Sequence, residues 1–166
     1  MINNSLKWYI DNGVLPPIGY VPSYDLIPPL RSSKQDGYVV TCSSIYSEIG
    51  EAFRAFDQNG STRWMSSSSS VSEYIQIEFP RIVYINRVLI DQFQDSYGVF
   101  KDYTITTSLD GITFKNVYTG CHPNAYVAEI ADFTPSESKF LKIRFDHHYV
   151  NMVTISQIIV GGFLKN

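Results

Sequence analysis

The chain has 166 residues, of which 44% are hydrophobic and 17% are charged, and its formal net charge at pH 7 is −3. This length indicates one domain with an extension, and the apolar fraction is large enough for a full core. The acidic balance argues against nucleic-acid binding, which needs a basic surface, and no apolar run approaches the ~20 residues that cross a bilayer.

Residues 1–36 differ from the rest because prolines recur through them, at Pro16-Pro17, Pro22 and Pro28-Pro29. Prolines at this spacing prevent a long helix or a central strand and favour extended chain. Two interpretations stay open: an arm that docks on a partner or a neighbouring subunit, and a leader that lies along its own domain. We therefore divide the chain into an extension, 1–36, and a domain, 37–166.

From Gly37 onward the pattern is all-β, because short alternating or apolar runs are separated by turn residues. The predicted strands are 38–42, 74–79, 83–91, 102–108, 112–118, 127–130, 140–145 and 152–160. Pro80 is expected to end the second strand, and Asn86-Arg87 interrupts the third as a β-bulge does. Asp110-Gly111 predicts a hairpin turn, and Gly161-Gly162 is expected to end the last strand. About eight such strands indicate an antiparallel β-sandwich or jelly roll.

The two cysteines, Cys42 and Cys121, lie far apart in the sequence and do not have metal-ligand spacing. The sequence leaves a disulfide open but favours two buried free thiols. The first residues do not read as a secretory signal, because a basic start followed by an apolar stretch is lacking. We expect the chain to work where it is made, to be released by lysis, or to be a trimmed piece.

The stretch 52–64 begins with apolar residues at nearly helical spacing and then breaks at Asn59-Gly60, a pair suited to positive φ. Asp57, Asn59, Ser61 and Thr62 place side-chain oxygens in one short loop, and hard cations such as calcium bind oxygen cages of this kind. The alternative is a capped turn in which Asp57 and Thr62 bond the N–H groups of the loop itself. The sequence of this loop by itself favours the capped turn over a calcium site, because the EF-hand pattern is absent.

Five segments in order resemble the discoidin superfamily, which includes the C-terminal domains of coagulation factors V and VIII and galactose-binding-like carbohydrate-binding modules. Residues 51–64 resemble its A-FDG-TRW signature, and residues 101–114 resemble Y-x-I-x-x-S-x-DG-x-x-W. The other three are 74–79, 83–88 and 140–144, and the match runs from about Tyr38 to Gly162. The resemblance implies a discoidin-like jelly roll whose ligand site lies on variable loops at one end.

Strands of alternating direction place five connections at one end of the sandwich, which we call the loop pole: 43–50, 66–72, 94–100, 119–126 and 146–151. The C-terminus is expected at the opposite end. The side chains at the loop pole suit a sugar, since aromatic faces stack on its C–H groups while His and Asn bond its hydroxyls. The candidate ligand-binding residues are Tyr46, Tyr97, Phe100, His122, Asn124, Tyr126, His147, His148 and Asn151. The alternative is that each is an ordinary solvated loop residue.

The resemblance also implies a structural calcium ion at 52–64, held by backbone carbonyls, the Asp of FDG, the Thr of TRW and a Glu of the last strand. Asp57 and Thr62 match, Asn59 is a further oxygen donor, and Gln157 stands at the position of the Glu. Glutamine keeps a carbonyl oxygen but loses a charge, so the affinity for calcium should be lower. Structural Ca²⁺ is the one cofactor that we consider.

Three further positions have structural interpretations. Trp64 is expected to fill the core beneath the loop, and Arg63 and Arg144 are expected to be structural, with Arg144 paired to a carboxylate. His147 and His148 are adjacent in extended chain and point to opposite sides, so they do not easily share one metal ion.

These observations favour a non-catalytic module that binds cell-surface carbohydrate through the loop pole, located extracellularly or on a virion surface. The second hypothesis is a structural virion component, a phage tail or head appendage docked on other virion subunits through residues 1–36. The two combine in a phage adhesin, and a homo-oligomer is compatible with both. Lipid-surface binding ranks third, because it needs exposed apolar spikes. An enzyme is not expected, since the sequence has no nucleophile elbow, P-loop or zinc spacing.

Overall fold

The computed structural model describes residues 13, 15–67, 72–93, 98–125, 127–149 and 152–165. In chain order its elements are β1 (Tyr20–Ser23), β2 (Lys34–Gln35), β3 (Tyr38–Cys42), η1 (Glu48–Gly50), η2 (Ala52–Phe56), β4 (Trp64–Met65), β5 (Glu73–Gln92), β6 (Asp102–Ser108), β7 (Lys115–Cys121), β8 (Glu129–Phe145) and β9 (Thr154–Lys165). Both η elements are short 3₁₀ helices.

The two longest strands, β5 and β8, belong to both layers of a sandwich. The first half of β5 pairs with β3 and with residues 140–145 of β8, whereas its second half pairs with β9 and with residues 129–138 of β8. Inward side chains of both halves, such as Ile77 and Val88, belong to one core cluster, so the halves fold over and pack face to face. All strand pairs are antiparallel, and the predicted all-β antiparallel sandwich is confirmed.

One layer contains β2, β3, the first half of β5, the second half of β8, β6 and β7. The other contains β1, β9, β4 and the remaining halves of β5 and β8. Trp64 lies between the layers with 0% of its surface exposed, its ring 5.9 Å from that of Phe145. Its indole Nε1–H donates to the carbonyl of Ser44 at 3.0 Å, so the predicted tryptophan core is confirmed with its polar atom satisfied.

The predicted strands 38–42 and 102–108 match β3 and β6, but Pro80 does not end a strand. It lies at the fold of β5, where the register with β8 shifts and residues 80–82 are exposed. A proline at this position costs no ladder hydrogen bond because the pairing is already interrupted. The bulge predicted at Asn86-Arg87 is confirmed by register shifts against both neighbouring strands.

Gly162 also does not end its strand, because β9 continues to Lys165. A Cβ atom at this position would lie 1.9 Å from the carbonyl oxygen of Tyr84. The glycine therefore allows β5 and β9 to approach each other closely instead of terminating the pairing.

The turn between β6 and β7 is longer than the two-residue hairpin that Asp110-Gly111 predicted. Asp110 Oδ1 accepts the backbone N–H groups of Ile112 and Thr113, both at 2.8 Å, and β7 begins only at Lys115. The weak run 127–130 is not a separate strand, because β8 begins within it at Glu129.

The described part of the N-terminal extension packs on the domain, and we call residues 20–36 the strap. β1 pairs with β9 and β2 pairs with β3, while the core side chains Leu26, Ile27 and Leu30 are 1–3% exposed. The described residues of the strap therefore lie along the domain, and the division at residue 37 stays a prediction. Residues 1–12 and 14 lie outside the described residues.

Both cysteines are free, Cys42 half-buried and Cys121 exposed. The predicted burial is therefore wrong for Cys121, because it ends β7, a strand at the edge of its layer. None of the helices in the described ranges has the length and apolar character needed to span a membrane.

Candidate functional site

The loop pole is assembled by connections from both layers. Hydrogen bonds tie neighbouring loops together: Tyr46 N–H to Met65 O, Ser66 N–H to Val153 O, Lys101 N–H to His147 O, His122 N–H to Lys101 O, and Thr154 Oγ1–H to Gly98 O. The predicted gathering of loops is confirmed for the described residues. Lys165 pairs with Tyr20 at the far end of β9, so the C-terminal strand finishes at the opposite end, as predicted.

A cavity of about 300 Å³, which we call the pole cavity, opens between η1, β4 and the segment before β9. Its lining residues are Tyr46, Ile49, Arg63, Met65 and Met152. Tyr46 and Ile49 are 59% and 64% exposed, whereas Met65 is 5% exposed, so the rim is accessible and the floor is apolar. Such a site can stack a flat apolar face against the tyrosine ring and donate hydrogen bonds from the guanidinium.

The loop that carries Tyr46 is fixed from below by a buried carboxylate. Glu73 is 2% exposed, and its Oε2 accepts the hydroxyls of Ser43 and Ser44, the latter at 2.8 Å. Ser44 also accepts the Trp64 indole N–H at its carbonyl and the Ser67 backbone N–H at its hydroxyl. These bonds hold the loop before a ligand arrives, which lowers the entropy cost of binding.

Arg63 lies with its guanidinium 4.3 Å from the centre of the Phe93 ring. This cation–π contact fits the structural role expected from the sequence, and the side chain also lines the pole cavity. The lining residues Ile49, Arg63, Met65 and Met152 were absent from the predicted ligand set. No local pattern pointed to these residues, because both residues of the short strand β4 are buried and do not alternate.

His147 and Asp102 form a hydrogen-bonded pair of polar side chains at the loop pole. His147 Nδ1 lies 2.9 Å from Asp102 Oδ2, and the histidine side chain is 62% exposed. A hydrogen bond from the Cys121 thiol, followed by the bond to His147, lowers the pKa of the Asp102 carboxyl. Arg144 pairs with Asp146, so its predicted pairing with a carboxylate is confirmed.

Phe100 and His122 are buried, and the prediction that they face a ligand is wrong. Both are 0% exposed, and their rings contact each other with centres 4.4 Å apart. The His122 Nε2–H donates to the carbonyl of Val127 at 2.8 Å. The Phe100 ring also contacts those of Tyr103 and Phe145, so it fills the core at this end of the sandwich.

The other predicted ligand residues are distributed over the loop pole. Tyr46 lines the cavity and Asn124 is exposed, whereas His148 is half-buried and its backbone pairs with that of Phe100. Tyr97, Tyr126 and Asn151 lie outside the described residues. Of the predicted set, the structure brings only Tyr46, among described residues, into the lining of the pole cavity.

The loop after η2 is closed by its own hydrogen bonds. Asp57 Oδ1 accepts the Asn59 N–H at 2.9 Å, and Asp57 Oδ2 accepts the Thr62 hydroxyl at 2.6 Å. Oxygen atoms of this kind are the donors that calcium prefers, but both Asp57 oxygens already accept hydrogen bonds. Asp57 is also the only carboxylate among the predicted calcium ligands. Gln157 lies on β9 opposite Asp91. The residue with positive φ is Gln58, at 56°, and not Asn59 or Gly60.

No group of three or more His, Cys, Asp or Glu side chains within the described ranges is arranged to hold a metal ion. A calcium site here would therefore depend on backbone carbonyl, amide and hydroxyl oxygens beside Asp57, and such neutral donors bind calcium more weakly than carboxylates.

Several solved structures with the same fold are bacterial modules. The Clostridium perfringens module CpGH89CBM32-5, in complex with GalNAc-β-1,3-galactose, is 17% identical, with a TM-score of 0.70, and the match covers 75% of this chain and 94% of that chain. The family 32 module of C. perfringens NanJ, in complex with galactose, is 16% identical, with a TM-score of 0.69 and coverage of 75% and 93%.

A mutant of chitosan-binding module 1 from a Paenibacillus sp. IK-5 chitosanase/glucanase is 25% identical, with a TM-score of 0.67 and coverage of 75% and 93%. No curated protein matches the chain. The family model of the F5/8 type C domain matches residues 39–158, which include most of β3, the loop after η2 and the first part of β9. The chain therefore belongs to the F5/8 type C domain family.

Proposed function

We propose that the chain is a non-catalytic carbohydrate-binding module that recognises cell-surface sugars through the pole cavity. The observation that carries this proposal is the lining of that cavity, where the exposed Tyr46 ring stands over an apolar floor beside the Arg63 guanidinium. The tyrosine ring would stack on the C–H face of a pyranose, and the guanidinium would donate to its hydroxyls. The sugars bound in two of the similar solved structures support this assignment.

The size of the cavity supports a ligand of one or two sugar rings. Its volume of about 300 Å³ lies at the lower end of small-molecule sites. Among the described residues that line it, none carries a carboxylate, and glycoside hydrolysis requires a pair of them. The cavity therefore suits binding without cleavage.

Tyr46→Ala tests this function. We expect a glycan array at fixed salt to give one sugar class, and the substitution to weaken binding of that sugar by ~10-fold or more, because the stacking face is lost. Tyr24→Ala is the matched control, since Tyr24 is 54% exposed but lies on the strap, away from the cavity. An empty array, or equal binding by the wild type and Tyr46→Ala, would contradict the proposal.

We further propose an extracellular or virion-surface location, with the N-terminal residues docking on other virion subunits or on further copies of the chain. Leu15 and Ile18 support this, because they are 79% and 103% exposed just before β1. Since the strap is packed in the core, docking would fall on residues before Tyr20. Removing residues 1–18 should abolish co-purification with virion particles and leave sugar binding intact. If the truncation abolished sugar binding as well, the assignment of docking to the N-terminal residues and of sugar binding to the pole cavity would be contradicted.

Lipid-surface binding is a separate candidate, favoured by the exposure of Ile45 and Ile49 at 45% and 64% on the loop pole. Sedimentation with anionic vesicles tests it. Binding that Ile49→Ser abolishes would support the lipid assignment, and binding to the array sugar but not to vesicles would exclude it.

A further inference from the structure

A second cavity, of about 380 Å³, lies on the flank of the sandwich, where the strap meets η2 and the loop that follows it. We call it the flank cavity. Two arginines from different elements line it, Arg31 from the strap and Arg54 from η2, together with Phe53, Leu30 and Asp57. The Leu30 N–H donates to the carbonyl of Phe56 at 3.0 Å, and this backbone hydrogen bond holds the strap against η2.

Within the described residues, both arginines lack the kind of carboxylate partner that Arg87 and Arg144 have. Arg87 is paired with Asp132 and Arg144 with Asp146, whereas neither Arg31 nor Arg54 forms an ion pair within the part of the chain that the structure describes. The Nε–H of Arg54 is buried and has no hydrogen-bond partner among these residues. A buried N–H donor without an acceptor is unfavourable, so an acceptor from a ligand would relieve this cost.

The one acid in the lining is already engaged. Asp57 accepts the Asn59 N–H with one oxygen and the Thr62 hydroxyl with the other. It reduces the charge of the cavity wall but leaves two guanidinium groups against one carboxylate. Asn59 and Thr62 are also polar lining residues, and both already bond within the loop. The apolar part of the lining includes buried Leu30 and the Phe53 ring, whose centre lies 5.5 Å from the Arg54 guanidinium carbon.

We propose that the flank cavity binds an acidic saccharide, one that carries a carboxylate or a sulfate ester. Guanidinium groups present paired N–H donors that match the oxygens of both anions. The Phe53 ring offers a face on which the C–H groups of the attached sugar pack. This inference extends the proposed function from one sugar site to two, and it rests on that function only in assigning the anion to a saccharide.

The test is an NMR titration of the full chain that follows the Arg54 Nε–H signal. The probes are glucuronate, galactose 6-sulfate, neutral galactose and inorganic sulfate. We expect the two acidic sugars to shift the signal to saturation, neutral galactose to leave it unchanged, and inorganic sulfate to bind at least ~10-fold more weakly than galactose 6-sulfate. Equal binding of inorganic sulfate would overturn the saccharide assignment, and an unchanged Arg54 signal would overturn the site.

Two substitutions separate a built site from general attraction to positive charge. Arg31→Ala should weaken the acidic probe by ~10-fold, because it removes one of the two guanidinium groups. Arg81→Ala is the matched control, since Arg81 is an exposed arginine at the fold of β5, outside the flank cavity. Equal weakening by both substitutions would overturn the proposal.

The two sugar sites can fail separately. Tyr46→Ala should leave the Arg54 shift unchanged, and Arg31→Ala should leave the array profile for neutral sugars unchanged. Loss of neutral-sugar binding with an intact Arg54 response refutes only the pole cavity, and the reverse result refutes only the flank cavity.

Discussion

Asp25 links the strap to the loop after η2. Its Oδ1 accepts the Ile27 N–H at 3.0 Å, and its Oδ2 accepts a Gln58 side-chain N–H at 3.1 Å. Burial raises the pKa of this carboxyl from 3.8 to about 6, outweighing the hydrogen bonds, which lower it. The charged carboxylate is therefore less favourable in the folded state than in the unfolded chain.

This shift predicts how Asp25→Asn changes the pH dependence of stability. The folded state holds the proton more tightly than the unfolded chain, so this group favours folding at low pH, and that contribution is lost as the pH rises from about 4 through about 6. Asp25→Asn should therefore gain about 3 kcal/mol relative to the wild type between about pH 4 and about pH 8. Urea unfolding of both proteins across this range measures the difference, and a constant difference would refute the assignment.

At the scale of elements, the strap contributes part of the hydrophobic core. Leu26, Ile27 and Leu30 are 3%, 2% and 1% exposed, and they belong to the same cluster as Trp64. Burial of three such side chains contributes roughly 5 kcal/mol or more, which is comparable with the net stability of a whole domain. The strap is therefore a structural part of the sandwich.

Two truncations test this contribution. Removal of residues 1–18 should leave a cooperative thermal transition within a few degrees of the full chain, because it spares the core side chains of the strap. Removal of residues 1–36 should abolish the transition or lower the Tm strongly. Circular dichroism melts report both, and Leu30→Ala, expected to cost about 2–5 kcal/mol, isolates one core contact. A 1–36 truncation that melts like the full chain would contradict the packing.

At the scale of the molecule, the sandwich separates its two ends. The loops that form the pole cavity lie at one end, while the C-terminal end of β9 pairs with the start of β1 at the other. A partner attached near β1 would therefore leave the loop pole accessible to a large glycan surface.

We also propose a calcium ion in the loop between η2 and β4. Its ligands would join that loop to β9. We predict that millimolar calcium raises the Tm by a few degrees over chelator, since a ligand that binds only the folded state stabilises it by mass action. Asp57→Asn should remove this increment, and Gln157→Glu should enlarge it by restoring a charged ligand. Identical melting curves in calcium and chelator, for both the wild type and Gln157→Glu, would exclude the ion.

The sequence by itself determined the features that rest on local patterns. The short apolar run 38–42 located β3, and the alternation along 102–108 located β6, because side chains of a strand point alternately to its two faces. The ordered motifs identified the fold and placed Trp64 in the core. The gathering of loops at one end followed from the alternation of strand directions, which is also a property of chain order.

Only the tertiary structure decided the features that depend on what lies opposite a residue. Pro80 sits at a fold of one long strand, and Gly162 is required by the carbonyl of Tyr84 on the neighbouring strand. Phe100 and His122 are core residues because their side chains fill the space between the two layers at the loop pole. The walls of both cavities come from segments distant in sequence, and local periodicity carries no information about which distant side chains meet.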